Sequence, residues 1–304
     1  MNQYALNSDN VRTAVGPRGS GESVTRYAWT MLHRSAWLVL VFAVPAAAEP
    51  LGGKAFVESQ LPDEMVKLRA TFEPDALVIH PEGVTSGALP DDQVEGFIRS
   101  DEATFDDRKL GKLTSGTRGE VTWIVADVIQ PWAILGDCPP ALKRCHRTRT
   151  LRFTELVVGG KAVVAHIDEP VAKRPKEELE RSAIPSGTEA GTLTPLLTNP
   201  TALAAALLDD PAVSVLGTER SERAVGVAAA KKLLKSWSKL ALTIDGQARE
   251  VRTKTWAWAA ANVNWTTKKK TVKMRATVFA VDTGSGWKVV AAHYSLPYHR
   301  VMYE

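Results

Sequence analysis

Three stretches near the C-terminus, Ala248 to Trp265, Thr271 to Val281 and Trp287 to Ser295, are apolar-rich and have strand character. They predict strands, and "TTKKK" and "DTGSG" between them are turn signals. Ahead of these, "PTALAAALLDD" predicts a short helix and "AVSVLG" a strand. In "SERAVGVAAAKKLLKSWSKLAL" the spacing of Val225, Ala229, Leu233, Trp237 and Leu240 predicts one apolar helical face. The earlier part of the chain reads alike. A helix near "DEMVKLRATF" precedes a strand, "ALVIHP", and a second helix carries Val94, Phe97, Ile98 and Phe105. Three strands then end at Ile167. Helices followed by hairpin-linked strands predict an α+β class, with helices on one face of an antiparallel sheet.

The order of elements recurs because the sequence recurs. "KAVVAHIDEPV" at Lys161 and "KVVAAHYSLPY" at Lys288 share their Lys, a Val, an Ala, the His and the Pro. "LRFTELVV" lies over "MRATVFAV", which matches Arg152 with Arg275. "VTWIVADV" lies over "WAWAAANV", so Trp123 meets Trp258 and Asp127 meets Asn262. "DALVIHPEG" sits over "PAVSVLGTE" at an offset of 136 residues. The offset changes only between these strands, where surface connections tolerate insertions. A duplicated unit is the expectation, with a leader over 1–48, a first unit over 49–171, a linker over 172–196 and a second unit over 197–304. The linker is polar, charged and rich in Pro, Ser and Gly.

Composition narrows the partners. The net charge is +4, and the first 48 residues hold four Arg against Asp9 and Glu22. The remainder is only slightly basic, so no nucleic-acid partner is expected. Ala36 to Val44 is an unbroken apolar run preceded by Arg34 and followed by Ala46-Ala47-Ala48. That pattern predicts a secretory signal cleaved near Ala48, and hence export to the periplasm or beyond. The run is too short for a membrane span, which needs roughly 20 residues. A buried N-terminal helix is the alternative, and either Met1 or Met31 could be the start. In an exported chain, Cys138 and Cys145 of "DCPPALKRCH" are a candidate local disulfide, with free thiols as the alternative.

The second copy resembles the SnoaL-like branch of the nuclear transport factor 2-like superfamily, through "VLGTERSERAVG", "WAWAAANVNW", "MRATVFAV" and "GWKVVAAHYSLP". The first copy is similar more loosely, and lacks the Gly-Thr-x-x-x-Glu element. The resemblance implies two tandem cone-shaped domains, each a curved sheet wrapped on helices around a pocket. It also implies a pairing through the sheets, as an intramolecular pseudo-dimer or a homodimer. Members of the superfamily include isomerases, cyclases and dehydratases as well as non-catalytic binding and assembly domains. Activity therefore stays open.

Strand parity puts Trp258 and Asn262 on one side of their strand, and Trp287, Val289, Ala291, His293 and Ser295 on one side of theirs. Trp123, Asp127 and His166 are the first-copy counterparts, and these six residues are the expected pocket lining for a small apolar or mixed ligand: Trp123, Asp127, His166, Trp258, Asn262 and His293. The same residues fit plain core packing. A carboxylate facing an apolar cavity has its pKa raised, which makes Asp127 a candidate general base assisted by His166. Asn262 has no such proton chemistry, and an ion pair would equally explain Asp127. A binding module for a ligand or a protein partner is the leading expectation, and an isomerase-type enzyme using Asp127 is the alternative. No metal is expected at "HIDE", because Glu169 points away from His166 and the second copy reads "HYSL". No cofactor is expected. Lys268, Lys269 and Lys270 read as a solvated turn.

Overall fold

A computed structural model describes residues 52–61, 65–80, 83–86, 103–105, 108–134, 146–172, 184–185, 191–266 and 270–297. The expected signal, the disulfide pair, the helix around Val94 to Ile98 and the Lys268–Lys269 turn lie outside these residues.

Each half is built the same way. In the first, helices α1 (Gly53–Gln60) and α2 (Met65–Ala70) precede strands β1 (Phe72–His80), β2 (Gly83–Ser86), β3 (Ala103–Phe105), β4 (Lys109–Arg118), β5 (Val121–Ile134), β6 (His146–Val158) and β7 (Lys161–Asp168). In the second, a 3-10 turn (Thr194–Leu197) and α3 (Pro200–Ala206) precede β8 (Ser214–Leu216) and β9 (Arg223–Val225). Then follow α4 (Val227–Trp237), β10 (Ala241–Arg252), β11 (Trp256–Thr266), β12 (Thr271–Asp282) and β13 (Trp287–Ser295). The sheet orders are β2-β1-β7-β6-β5, with β3 and β4 both on β5, and β9-β8-β13-β12-β11-β10. With β4 set over β10 these are one topology, and β3 is an addition to the first copy. The chain is thus two tandem α+β cones. Each sheet is mixed rather than antiparallel, because β1 runs parallel to β7 and β8 parallel to β13.

The register corrects several expectations. Ile79 opposes His166 and Leu216 opposes His293, so the first strands are equivalent at 137 residues, one more than the sequence alignment gives. Phe105 lies in β3, not in a helix. On α4 the buried side chains are Ala230, Leu234 and Trp237, one step round from the predicted Ala229 and Leu233. Val225 precedes the helix, in β9. "DGQ" lies in a bulge within β10, where Gly246 takes a positive φ of 80° that a side chain would strain.

Each sheet has two buried faces. The inner face carries the helices. Ile124, Ala126, Phe153, Val157 and Ala165 pack on Phe56, Val57 and Leu68 in the first cone. Ala257, Ala259, Ala261, Val278 and Ala292 pack with Leu203, Leu234 and Trp237 in the second. The outer faces pack against each other through Leu77, Trp123, Leu156 and Val164 of the first sheet and Trp258, Ala260, Phe279 and Ala291 of the second. Ile184, from the stretch between the copies, is buried in this same layer. Each half therefore keeps its own core and shares a third one, and residues 48–304 form one compact unit.

Parity in the last strands is reset by a bulge. Val289 opposes Ala280 while Ala291 opposes Phe279, so Val290 is the extra residue. The first copy repeats this: Ala162 opposes Val157 and Val164 opposes Leu156, leaving Val163 extra. Val289 consequently faces the inner core while Ala291 and His293 face outwards, which corrects the expectation that all share one side. The bulge is preserved between copies, as expected of a feature that aims side chains.

Candidate functional site

The sequence-predicted lining residues come together, but between the two sheets and not inside either cone. Trp123 and Trp258 are both buried in the shared layer. Gly116 opposes Trp123 on β4, and the indole lies so close that a Cβ there would clash with it. Trp123 Nε1 donates to the Ala212 carbonyl of the other copy at 3.3 Å. The reason for the displacement is that both faces of these strands are apolar, so alternation alone does not say which face is inner.

The polar residues of the layer form a crossed network that obeys an approximate two-fold axis. His166 and His293 are fully buried and their rings stack at 4.0 Å. His166 Nδ1 is 2.9 Å from Thr277 Oγ1, and His293 Nδ1 is 3.0 Å from the equivalent Thr154 Oγ1. His166 Nε2 is 2.7 Å from Ser295 Oγ, while His293 Nε2 is 3.0 Å from Asp168 Oδ1. Ser295 and Asp168 are themselves equivalent, so the symmetry breaks at this pair. Burial first, then the His293 and Arg275 charges, hold His166 well below the usual histidine range. Arg275 Nη1 donates to the His80 carbonyl at 2.8 Å. Arg152 Nη1 makes the matching bond to Gly217 at 3.1 Å, and reaches the Glu219 and Arg220 carbonyls besides.

Asp127 does not line the cleft at the mouth of the second cone, and its Oδ1 lies 3.5 Å from Arg223 Nε of the second copy. His166 is fully buried between the sheets and bonded through both ring nitrogens. The contacts of this pair are those of an ion pair and a hydrogen-bonded core histidine.

Among the described residues, one open space lies at the mouth of the second cone. A cleft of about 270 Å³, part of it continuous with solvent, is lined by Gly217, Thr218, Glu222, Trp237, Leu240, Leu242, Trp265, Met274 and Tyr294. Its floor is organised by Glu222. The carboxylate accepts from Trp237 Nε1 at 3.2 Å, from the Glu219 amide at 3.0 Å and from Thr218 Oγ1 at 3.4 Å. The loop is closed by the Gly217 amide donating to the Glu222 carbonyl at 2.7 Å. A Cβ on Gly217 would stand 2.5 Å from Glu222 Oε2 and 2.6 Å from Trp237 Cζ2. The Gly-Thr-x-x-x-Glu element thus shapes this cleft, a role sequence reasoning did not assign to it. Tyr294 meets Trp237 edge to face at 5.3 Å, and its hydroxyl donates to the Leu197 carbonyl at 3.0 Å. Burial pushes that phenol upward.

One residue inside the first cone was also missed. Glu155 is fully buried on the inner face, where the second copy has Val278. Its Oε1 accepts from Gln60 Nε2 at 2.8 Å, and its Oε2 has no hydrogen-bond partner. Burial pushes it up to about 7, against the opposing effect of the Gln60 bond. The signal was available: a carboxylate in "RFTEL" aligns with an apolar residue in "RATVF". Among the described residues no group of acidic, His or Cys side chains could hold a metal.

A doubled cone of helices on a mixed curved sheet defines the class of protein. Residues 199–299 match the SnoaL-like domain family, and this half of the chain is a SnoaL-like domain whose topology the first half repeats. No curated protein has a sequence similar to this chain. Among solved structures, an NTF2-like protein of unknown function from Pseudomonas putida KT2440 is 17% identical, covering 34% of this chain and 78% of its own, at a TM-score of 0.30. A putative ketosteroid isomerase from Parabacteroides distasonis ATCC 8503 is 16% identical, covering 34% and 79%, at 0.29. A putative calcium/calmodulin dependent protein kinase II association domain from Xanthomonas campestris is 17% identical, covering 32% and 74%, at 0.27.

Proposed function

We propose that the protein is an exported, non-catalytic binding module whose second cone takes a small, mostly apolar ligand. The observation that carries this reading is the mouth cleft, with Trp237, Trp265, Met274, Leu240 and Leu242 around a few fixed polar groups. A mainly apolar wall with few convergent polar atoms is the usual make-up of a small-molecule site. The first cone acts as a support. Its outer sheet face covers that of the second, so that one chain supplies the pairing that two chains would otherwise make. Export rests on the apolar run before Ala48.

Native mass spectrometry of the mature protein should show one chain carrying a small co-purified molecule. Titration with an apolar fluorophore should quench Trp237 and Trp265 emission. A protein that purifies empty and leaves both indoles unchanged would remove the reading. Light scattering should give a monomer, and a higher oligomer built through the sheets would count against the internal pairing.

A second reading, an acid–base enzyme, is favoured by Glu155 alone, a buried carboxyl with an unpartnered oxygen. Exchange of deuterium into enolisable carbonyl compounds, lost in Glu155→Gln, would support it. Absence of exchange would remove it.

A further inference from the structure

The solvent side of α4 carries a stripe of lysines with nothing to neutralise it. Lys231, Lys232 and Lys235 lie on the helix. Lys239 follows on the same turning path, because the Ser238 amide donates to the Lys235 carbonyl at 3.3 Å and the Leu240 amide to the Trp237 carbonyl at 2.8 Å. All four are exposed. At about 3.6 residues per turn they fall within an arc of about 100°, over about 12 Å of axis. The opposite side of the helix is spent on the core, through Ala230, Leu234 and Trp237. Among the described residues none of the four has an ion pair or a hydrogen bond. The elements that pack on α4, namely α3, β8 and β9, contain no carboxylate.

The stripe works against the helix that bears it. Lys231, Lys235 and Lys239 are spaced i, i+4, where like charges repel and weaken a helix. An anionic body outside the helix would relieve that repulsion. The face offers it no other chemistry. The Ser236 and Ser238 hydroxyls donate to the Leu233 and Lys235 carbonyls, and Ala228 and Ala229 are the other exposed residues. There is no guanidinium fork and no exposed ring to read or stack on bases. Nor is there a large apolar anchor of the kind that carries a protein interface. Point charges of this sort suit a continuous anionic surface, where each lysine close to it adds about five-fold to binding. The stripe ends at part-exposed apolar groups, since Lys239 leads into Leu240, which borders the mouth of the cone with Leu242 and Trp265. Cations beside apolar side chains match a bilayer boundary, where charged headgroups overlie hydrocarbon.

We propose that the lysine face of α4 docks the protein on a phospholipid surface bearing anionic headgroups, with the mouth of the second cone at the edge of the contact. Docking of this kind is independent of whether the cleft holds a ligand.

The test is co-sedimentation of the compact unit, residues 49–304, which is free of the apolar run at Ala36 to Val44. It is mixed with vesicles of phosphatidylcholine alone, or of phosphatidylcholine and phosphatidylglycerol in equal parts. Binding to the anionic vesicles should exceed binding to the neutral ones on the order of several hundred-fold. It should be lost in about 1 M salt, where the screening length is about 3 Å. The double variant Lys231→Gln, Lys235→Gln should lower anionic binding about 25-fold with unchanged circular dichroism, and Lys231→Arg, Lys235→Arg should retain it. Lys109→Gln, Lys112→Gln removes the same charge from exposed positions of β4, and should stay within about two-fold of wild type. Equal binding to both kinds of vesicle would overturn the proposal. So would equal losses from the two glutamine variants, which would make net charge the cause. Capture by duplex DNA of mixed sequence, without capture by vesicles, would overturn it in favour of a nucleic-acid partner.

Discussion

His166 and His293, equivalent residues of the two copies, stack at 4.0 Å across the layer between the sheets, each bonded to the other copy's threonine. The two halves are thus joined by directional bonds as well as by apolar burial. Thr277→Val and Thr154→Val should each leave a buried imidazole nitrogen unpaired, at about 1–3 kcal/mol. Denaturant midpoints of the two variants should fall by similar amounts. A null effect at both would show that the network contributes nothing to stability.

Acid should loosen this layer through His166. Its folded pKa lies below the ordinary 6.5, chiefly from burial, so as pH falls the unfolded chain takes up the proton first. The contribution is complete above about pH 6.5 and is lost below it, at up to about 1.4 kcal/mol per pH unit. The stability gap between wild type and His166→Asn should therefore narrow from pH 7 to pH 5. A constant gap would mean that His166 is not held neutral.

Glu155 should act in the opposite sense. Its folded pKa is raised to about 7 from 4.5, so the unfolded chain releases the proton first as pH rises. The penalty grows between pH 4.5 and 7 and then levels off, on the order of 3 kcal/mol. The double variant Glu155→Val, Gln60→Leu should be more stable than wild type at pH 8, and the gain should disappear towards pH 4.5. A loss of stability at pH 8 would sink this account.

Gly217→Ala should damage the cleft itself. The new methyl meets Glu222 and Trp237 well inside contact distance, and overpacking of this kind costs about 1–3 kcal/mol. Trp237 emission should shift as its bond to Glu222 breaks, and ligand binding should weaken. An unchanged spectrum would show that the loop relaxes without cost.

The repeat was legible because strands that pair on both sides tolerate few changes, and Trp123, Arg152 and His166 stayed in step with Trp258, Arg275 and His293. Which way those side chains point was not legible. In "WAWAAANV" neither face is polar, so the pattern marks a strand buried on both sides without naming its neighbours. Val163 and Val290, the extra residues of the bulges, reverse parity with no sequence signature beyond one more apolar residue. The cleft was hidden for a different reason. Its lining comes from a loop, a helix end and four strands, Tyr294 and Met274 among them, which are brought together only by the closed cone.

Asp168 and Ser295 occupy matching places beside the paired imidazoles. An assembly of two identical subunits would set either two carboxylates there or none, since any mutation appears twice. A lone carboxylate on the dyad needs two halves that mutate independently, and a gene that carries both in tandem supplies them.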